Sequence, residues 1–216
     1  VTYYDMKINS NGAGFIVGSI FTPYNYSIVG FILRTQDLGL TWTISYYPDE
    51  RFVNIICNSD NEWFLLGNRG YYDNSQIIQR KTDDGGFTWQ YSEPLLGIVP
   101  SSTLYTAIFS PVKNAIYLFA SRGVYTSYDN GFSYKKMSSD LDTFVGNLAF
   151  ESKPITPENQ LAIAYSEYTS WPYLFSSDAG KTWAKRDFPT SLGNYLWRVG
   201  ISEGTVYIIV DQTKLY

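Results

Sequence analysis

Short runs that mix hydrophobic and polar residues recur along the whole chain, and turn residues separate them. The first run is Tyr3-Tyr4-Asp5-Met6-Lys7-Ile8, and the next is Gly14-Phe15-Ile16-Val17-Gly18. Runs of this length, rich in β-branched and aromatic side chains, are typical of β-strands. The pattern therefore predicts an all-β fold.

The predicted strands fall into five consecutive groups, and the last group stops inside its third strand. They cover 3–8, 14–18, 30–34 and 42–46 in the first group, and 52–57, 62–67, 76–81 and 88–92 in the second. The third and fourth groups contain 105–110, 115–120, 123–127, 132–137, 145–151, 160–165, 173–176 and 182–187, and the fifth contains 196–202 and 205–210.

One eight-residue motif occurs once in each of the first four groups. Its pattern is Ser/Thr-x-Asp-x-Gly-x-Thr/Ser-aromatic, and its central aspartates lie 47, 45 and 49 residues apart. A period in this range indicates an array of equal supersecondary units, and it fits four-stranded propeller blades. The motif residues are Asp37, Gly39, Trp42, Asp84, Gly86, Trp89, Asp129, Gly131, Tyr134, Asp178, Gly180 and Trp183.

The residue types of this motif suit a tight hairpin turn. An aspartate carboxylate accepts N–H bonds from the residues that follow it, and glycine tolerates a positive φ. The aromatic residue is predicted to lie on the fourth strand, where a large ring covers the layer between neighbouring sheets. The four aspartates occur one to a unit, in separate turns, so we interpret them as structural rather than as metal ligands or catalytic acids.

The motif resembles the Asp-box, or BNR, repeat of sialidases, xyloglucan-cleaving hydrolases, sortilin-type receptors and photosystem II assembly propellers. This resemblance implies a β-propeller of four-stranded antiparallel blades, in which each Asp-box turn joins the third strand to the fourth. Four complete blades and part of a fifth are expected in one domain, with approximate boundaries 1–50, 51–100, 101–143, 144–193 and 194–216. Either the ring closes with an incomplete blade, or the chain is a piece of a longer ring.

The composition excludes several classes of function. The 216 residues carry a net charge of −4, and the basic residues are scattered, which argues against nucleic-acid binding. The chain has no histidine and one cysteine, Cys57, so catalysis by a serine or cysteine through histidine is excluded, as is an internal disulfide. We expect no cofactor and no metal. The longest apolar runs are strand-length, well short of the roughly 20 residues of a membrane-spanning helix.

The longest irregular segments are expected on the face opposite the Asp-box turns. Loops held by a rigid scaffold often carry function, and exposed aromatic rings suit sugars or protein partners. The alternative is that these rings only pack their own loops. The candidate binding residues are Tyr24, Tyr26, Arg51, Tyr71, Tyr72, Tyr168 and Trp171.

Two classes of function follow from the resemblance. The first is a non-catalytic binding or assembly module for a protein or glycan partner, located outside the cell or on a cell or virion surface. The alternative is a sialidase-like or xyloglucanase-like glycoside hydrolase, which needs two carboxyl groups about 5–10 Å apart. The sialidase Arg-Ile-Pro signature is absent from the chain. Candidate carboxyl groups are Asp49, Glu50, Asp73 and Glu167.

Overall fold

The computed structural model consists of β-strands joined by turns. It describes residues 1–22, 27–70, 75–92, 95–110, 114–137, 147–150, 162–165, 173–178, 182–188, 196–202, 204–210 and 214–215. Within these ranges, no helix is long and apolar enough to cross a membrane.

The strands form five antiparallel sheets, and each sheet uses its strands in chain order. Sheet 1 contains β1 (Thr2–Ile8), β2 (Gly14–Thr22), β3 (Ser27–Thr35) and β4 (Thr43–Pro48), and sheet 2 contains β5 (Glu50–Cys57), β6 (Trp63–Arg69), β7 (Gln76–Thr82) and β8 (Gln90–Ser92). Sheet 3 contains β9 (Leu104–Ser110), β10 (Ala115–Ala120), β11 (Gly123–Ser127) and β12 (Lys135–Lys136). Sheet 4 contains β13 (Asn147–Phe150), β14 (Ala162–Tyr165), β15 (Tyr173–Ser176) and β16 (Ala184–Arg186), and sheet 5 contains β17 (Leu196–Ser202), β18 (Thr205–Val210) and β19 (Lys214–Leu215).

The first strands of neighbouring sheets contact one another along the chain. These contacts join β1 to β5, β5 to β9, β9 to β13 and β13 to β17. In sheets 1 to 4 the fourth strand lies at the opposite edge from the first. The sheets therefore pack face to face, with their first strands innermost.

The main cores lie in the seams, which are the contacts between neighbouring sheets. In β6, Trp63 and Leu65 belong to the core shared with sheet 1, whereas Phe64 and Leu66 belong to the core shared with sheet 3. All four side chains have 0% exposure. A strand that is buried on both faces has no solvent side, which explains why this run is continuously apolar rather than alternating.

Hydrogen bonds from one first strand to the next bridge two of these seams. The Ile55 N–H donates to Asp5 Oδ2 at 3.0 Å, and the Ala107 N–H donates to Asn54 Oδ1 at 2.7 Å. Each acceptor residue directly follows a register shift in its own strand, between Tyr3 and Asp5 or between Phe52 and Asn54. A bulge redirects the side chains that follow it, and here it accompanies a polar group that bonds to the next sheet.

The structure corrects the predicted position of the motif aromatics. Trp42, Trp89, Tyr134 and Trp183 were expected on the fourth strand, but each lies one residue before that strand begins. In the first motif the cause is visible, because Trp42 Nε1 donates to the Gly39 carbonyl oxygen at 2.9 Å. The ring is thereby tied to the turn. The other predicted strands overlap the observed ones, with small differences at their ends.

Candidate functional site

Each Asp-box turn is held together by hydrogen bonds that converge on its aspartate. Asp84 Oδ1 accepts the N–H bonds of Phe87 and Thr88, both at 2.9 Å, and Asp84 Oδ2 accepts the Thr88 hydroxyl at 2.6 Å. The Thr82 hydroxyl donates to Asp84 Oδ1 at 2.7 Å and accepts the Gly86 N–H at 2.9 Å. Bonds from the Ser/Thr residues before and after the aspartate recur at Asp37, Asp129 and Asp178.

These hydrogen bonds favour the ionised carboxylates. Bonds from the Thr41 side chain and backbone lower the pKa of Asp37 to about 2, and bonds from Thr88 hold the pKa of Asp84 well below its ordinary value. Each carboxylate serves its own turn. Among the described residues, no group of three or more Asp, Glu, Cys or His side chains is placed to hold a metal ion.

The pKa values of the box aspartates predict sensitivity to acid. A carboxylate whose pKa is lower in the folded than in the unfolded protein stabilises the fold above the unfolded value and loses that contribution as the pH falls. We therefore expect the melting temperature to be steady above about pH 5 and to decline as the pH falls through the ordinary value of 3.8 towards about 2. Circular dichroism melts from pH 2 to 7 measure this decline, and Asp84→Asn should make it shallower. A variant slope equal to that of the wild type would contradict the assignment.

The Asp-box turns of sheets 2 and 3 also pack on the sheet before them. A Cβ atom on Gly86 would lie 2.3 Å from Phe15 Cζ, so only glycine fits there without a shift. In the next seam Gln79 Nε2 donates to the Gly131 carbonyl at 3.2 Å, and the Tyr134 hydroxyl donates to Gln79 Oε1 at 2.6 Å. Burial raises the pKa of Tyr134, so its hydroxyl remains a donor.

An arginine, a glutamate and two tyrosines form a compact cluster between sheets 1 and 2. Arg80 donates from Nε and Nη2 to the two carboxylate oxygens of Glu50, at 2.9 and 2.7 Å. Its guanidinium lies 4.4 Å from the ring centre of Tyr47 and 4.8 Å from that of Tyr91. Arg69 donates to the Tyr91 hydroxyl at 3.0 Å. Glu50 begins β5 and Arg69 ends β6, so this cluster reaches the loop side, the end of the sheets opposite the Asp-box turns.

Of this cluster, the sequence predicted only Glu50, as a candidate carboxyl group. The predicted binding residue Arg51 follows it in β5 and lies half-buried, with its Nε buried and without a hydrogen-bond partner among the described residues. Arg80 and Tyr91 were not predicted, because they lie within strands rather than in loops. A charged residue in the middle of a predicted strand was the available signal. The other candidates, Tyr24, Tyr26, Tyr71, Tyr72, Tyr168 and Trp171, lie outside the described residues, as do Asp73, Glu167 and the motif residue Gly180.

Comparison with known proteins gives matches in structure rather than in sequence. No protein-family model and no curated protein matches the chain. A structure of YCF48 bound to a D1 peptide matches with a TM-score of 0.65 and 20% identity, covering 99% of this chain and 62% of that one.

Two further matches are enzymes. An α-L-arabinanase from Penicillium chrysogenum, complexed with arabinobiose, matches with a TM-score of 0.59 and 12% identity over 95% of this chain and 71% of its own. A GH74 xyloglucanase from Xanthomonas campestris has a TM-score of 0.54 and 14% identity, with coverages of 96% and 35%.

The fold is that of a β-propeller. These identities are low, so the matches establish the architecture alone, and they confirm the resemblance to the Asp-box propellers at that level. The chain spans about three fifths of the length of the YCF48 structure. Of these matched structures, that of YCF48 is bound to a peptide and that of the arabinanase to arabinobiose.

Proposed function

We propose that the chain is a binding module that engages a protein or glycan partner through its loop side. The observation that carries this proposal is the state of Glu50, whose side chain is 6% exposed and bound by Arg80 through both oxygens. A carboxylate buried in this way is not free to attack a sugar or to deliver a proton. Asp49 beside it is exposed to solvent, so these two carboxylates do not share an enclosed site.

The groups that remain accessible beside the buried pair suit recognition rather than catalysis. Arg69 is exposed, and Tyr91 is 38% exposed. A guanidinium beside a phenol ring offers hydrogen bonds, charge and a flat apolar surface together, which is the combination enriched at binding hot spots. The candidate aromatic residues of the neighbouring loops would extend this surface.

Screening the protein on peptide and glycan arrays tests the proposal. We expect a ligand of one of these classes, with an affinity that a Tyr71→Ala/Tyr72→Ala variant weakens by about 30-fold, equivalent to ~2 kcal/mol for loss of a hot spot. Asp84→Ala is the matched control, because it should lower the melting temperature and leave the affinity of the folded fraction unchanged. Equal loss of affinity in both variants would count against a loop-side site.

The glycoside hydrolase alternative is separated by an assay on the same protein. Arabinan, xyloglucan and sialosides are incubated with the wild type, and released sugar is measured. We expect no release above a buffer blank. Release that a single Asp73→Asn or Glu167→Gln substitution abolishes would replace the binding proposal with a retaining or inverting hydrolase.

A further inference from the structure

Two clefts at corresponding repeat positions lie on the outer part of the seams, beside the Asp-box turns. The first cleft, of about 200 Å³, lies between sheets 1 and 2 and is lined by Ile32, Arg34, Thr43, Gly86 and Phe87, among others. The second cleft, of about 580 Å³, lies between sheets 2 and 3 and is lined at the matching repeat positions by Gln79, Lys81, Gln90, Gly131 and Phe132. Tyr91, Leu95 and Leu96 line it as well. In each, the third and fourth strands of one sheet face the Asp-box turn of the next.

An arginine of the chain itself occupies the first cleft. The Arg34 guanidinium lies 3.8 Å from the ring centre of Phe87, and its Nε donates to the Gly85 carbonyl oxygen at 3.1 Å. Burial lowers the pKa of Arg34, and the negative charge of Asp84 opposes that effect. Three groups of one Asp-box turn thus act on this cation: an aromatic ring, a backbone carbonyl and a carboxylate.

The second cleft has the same three groups, but its own cation points elsewhere. Phe132, the Asn130 backbone and Asp129 take the places of Phe87, Gly85 and Asp84 in the repeat. Lys81 replaces Arg34, but its ammonium pairs with Glu62 at 2.7 Å and lies over the ring of Phe64. Phe132 is 76% exposed, and no cation of the described residues lies over its ring. Because Lys81 is paired with Glu62, the negative charge of Asp129 is available to attract a cation from a partner protein.

We propose that the second cleft binds an arginine side chain of a protein partner, in the place that Arg34 takes in the first cleft. The guanidinium would stack on Phe132, donate to the Asn130 carbonyl oxygen and lie in the field of Asp129. The proposed guanidinium position lies at the Asp-box end of the cleft, and it does not rest on the loop-side function, although Tyr91 of the loop-side cluster also lines this cleft. The repeat itself supplies the precedent, because the same turn already holds a guanidinium one sheet earlier.

The test is a titration followed by ¹⁵N–¹H NMR, with the blocked peptide Gly-Ser-Arg-Ser-Gly and its citrulline counterpart. Citrulline keeps the shape of arginine and removes its charge. We expect the arginine peptide to shift the amide signals of Asn130, Gly131 and Phe132, and the citrulline peptide to leave them in place. Phe132→Leu should weaken binding by about two- to fivefold, as for a cation–π contact at an exposed site. Leucine is tolerated in this turn, since Leu40 stands at the same motif position in sheet 1.

A gain-of-site variant provides the matched control. Arg34→Ala empties the first cleft, and it should add a second set of shifts, at Gly86 and Phe87, when the arginine peptide is added. Equal responses to the two peptides, or shifts that leave 130–132 unaffected, would overturn the proposal. Shifts confined to the loop side would overturn it too while supporting the loop-side function, so the two proposals fail separately.

Discussion

Gly86→Ala is expected to lower the free energy of unfolding by about 2–4 kcal/mol. Gly86 has a φ of +84°, and its missing Cβ would stand 2.3 Å from Phe15 Cζ. Phe15 cannot easily move, because it is fully buried and packs edge-on against Trp63 and Trp89 with ring centres 4.9 and 5.5 Å away. The added methyl group must push apart a packed seam as well as strain the backbone. Urea denaturation followed by tryptophan fluorescence measures the loss.

The adjacent glycine separates the two causes. Gly85 also has a positive φ, +69°, but a Cβ there would lie 3.7 Å from its nearest neighbour, Asn61 Oδ1. Gly85→Ala should therefore carry only the backbone strain, about 1–2 kcal/mol. If the two substitutions lower the free energy of unfolding equally, the close approach of residue 86 to Phe15 adds nothing to the loss. The Asp-box turn would then not pack in the seam between sheets 1 and 2.

Glu50→Gln is expected to destabilise the protein by about 3–5 kcal/mol. The substitution keeps the shape of the side chain and removes its charge, which leaves the Arg80 guanidinium, with 16% side-chain exposure, without a counter-ion. A buried charge that loses its partner costs far more than the pair contributes. Stacking of Arg80 between Tyr47 and Tyr91 offsets part of this cost. Chemical denaturation of the variant and the wild type in parallel measures the difference.

Two controls accompany this substitution. Glu62 pairs with Lys81 at the same distance of 2.7 Å, but these side chains are 21% and 30% exposed, so Glu62→Gln should cost about 1 kcal/mol or less. The double variant Glu50→Gln/Arg80→Met removes both charges and should recover much of the stability lost by Glu50→Gln. No recovery would show that Arg80 acts through packing rather than through its charge.

The strand order and the Asp-box turns could be predicted because their causes are local. Asp84 accepts hydrogen bonds from residues three and four positions later, and Gly86 supplies a positive φ within the same turn. Contacts that hold the seams have no such local signature. Gln79 meets Gly131 and Tyr134 across 52 and 55 residues, and a glutamine in a predicted strand gives no hint of which turn it will reach.

The candidate site was predictable to a smaller extent for the same reason. The sequence predicted Arg51 as a loop binding residue and Glu50 as a candidate carboxyl group, but in the structure Glu50 is held in a buried ion pair rather than open to a substrate. Its partner Arg80 lies 30 residues further along the chain, in the middle of another strand, β7. Pairing across such a separation depends on tertiary packing, which no periodicity in the sequence encodes.

The Asp5 carboxylate accepts a hydrogen bond from the Ile55 N–H, and the Asn54 side-chain oxygen accepts one from the Ala107 N–H, so each bond joins one sheet to its neighbour. Cohesion in this molecule is accordingly transmitted from neighbour to neighbour, as in a one-dimensional array. Damage at one junction weakens first the two sheets that share it and reaches the remainder only through them.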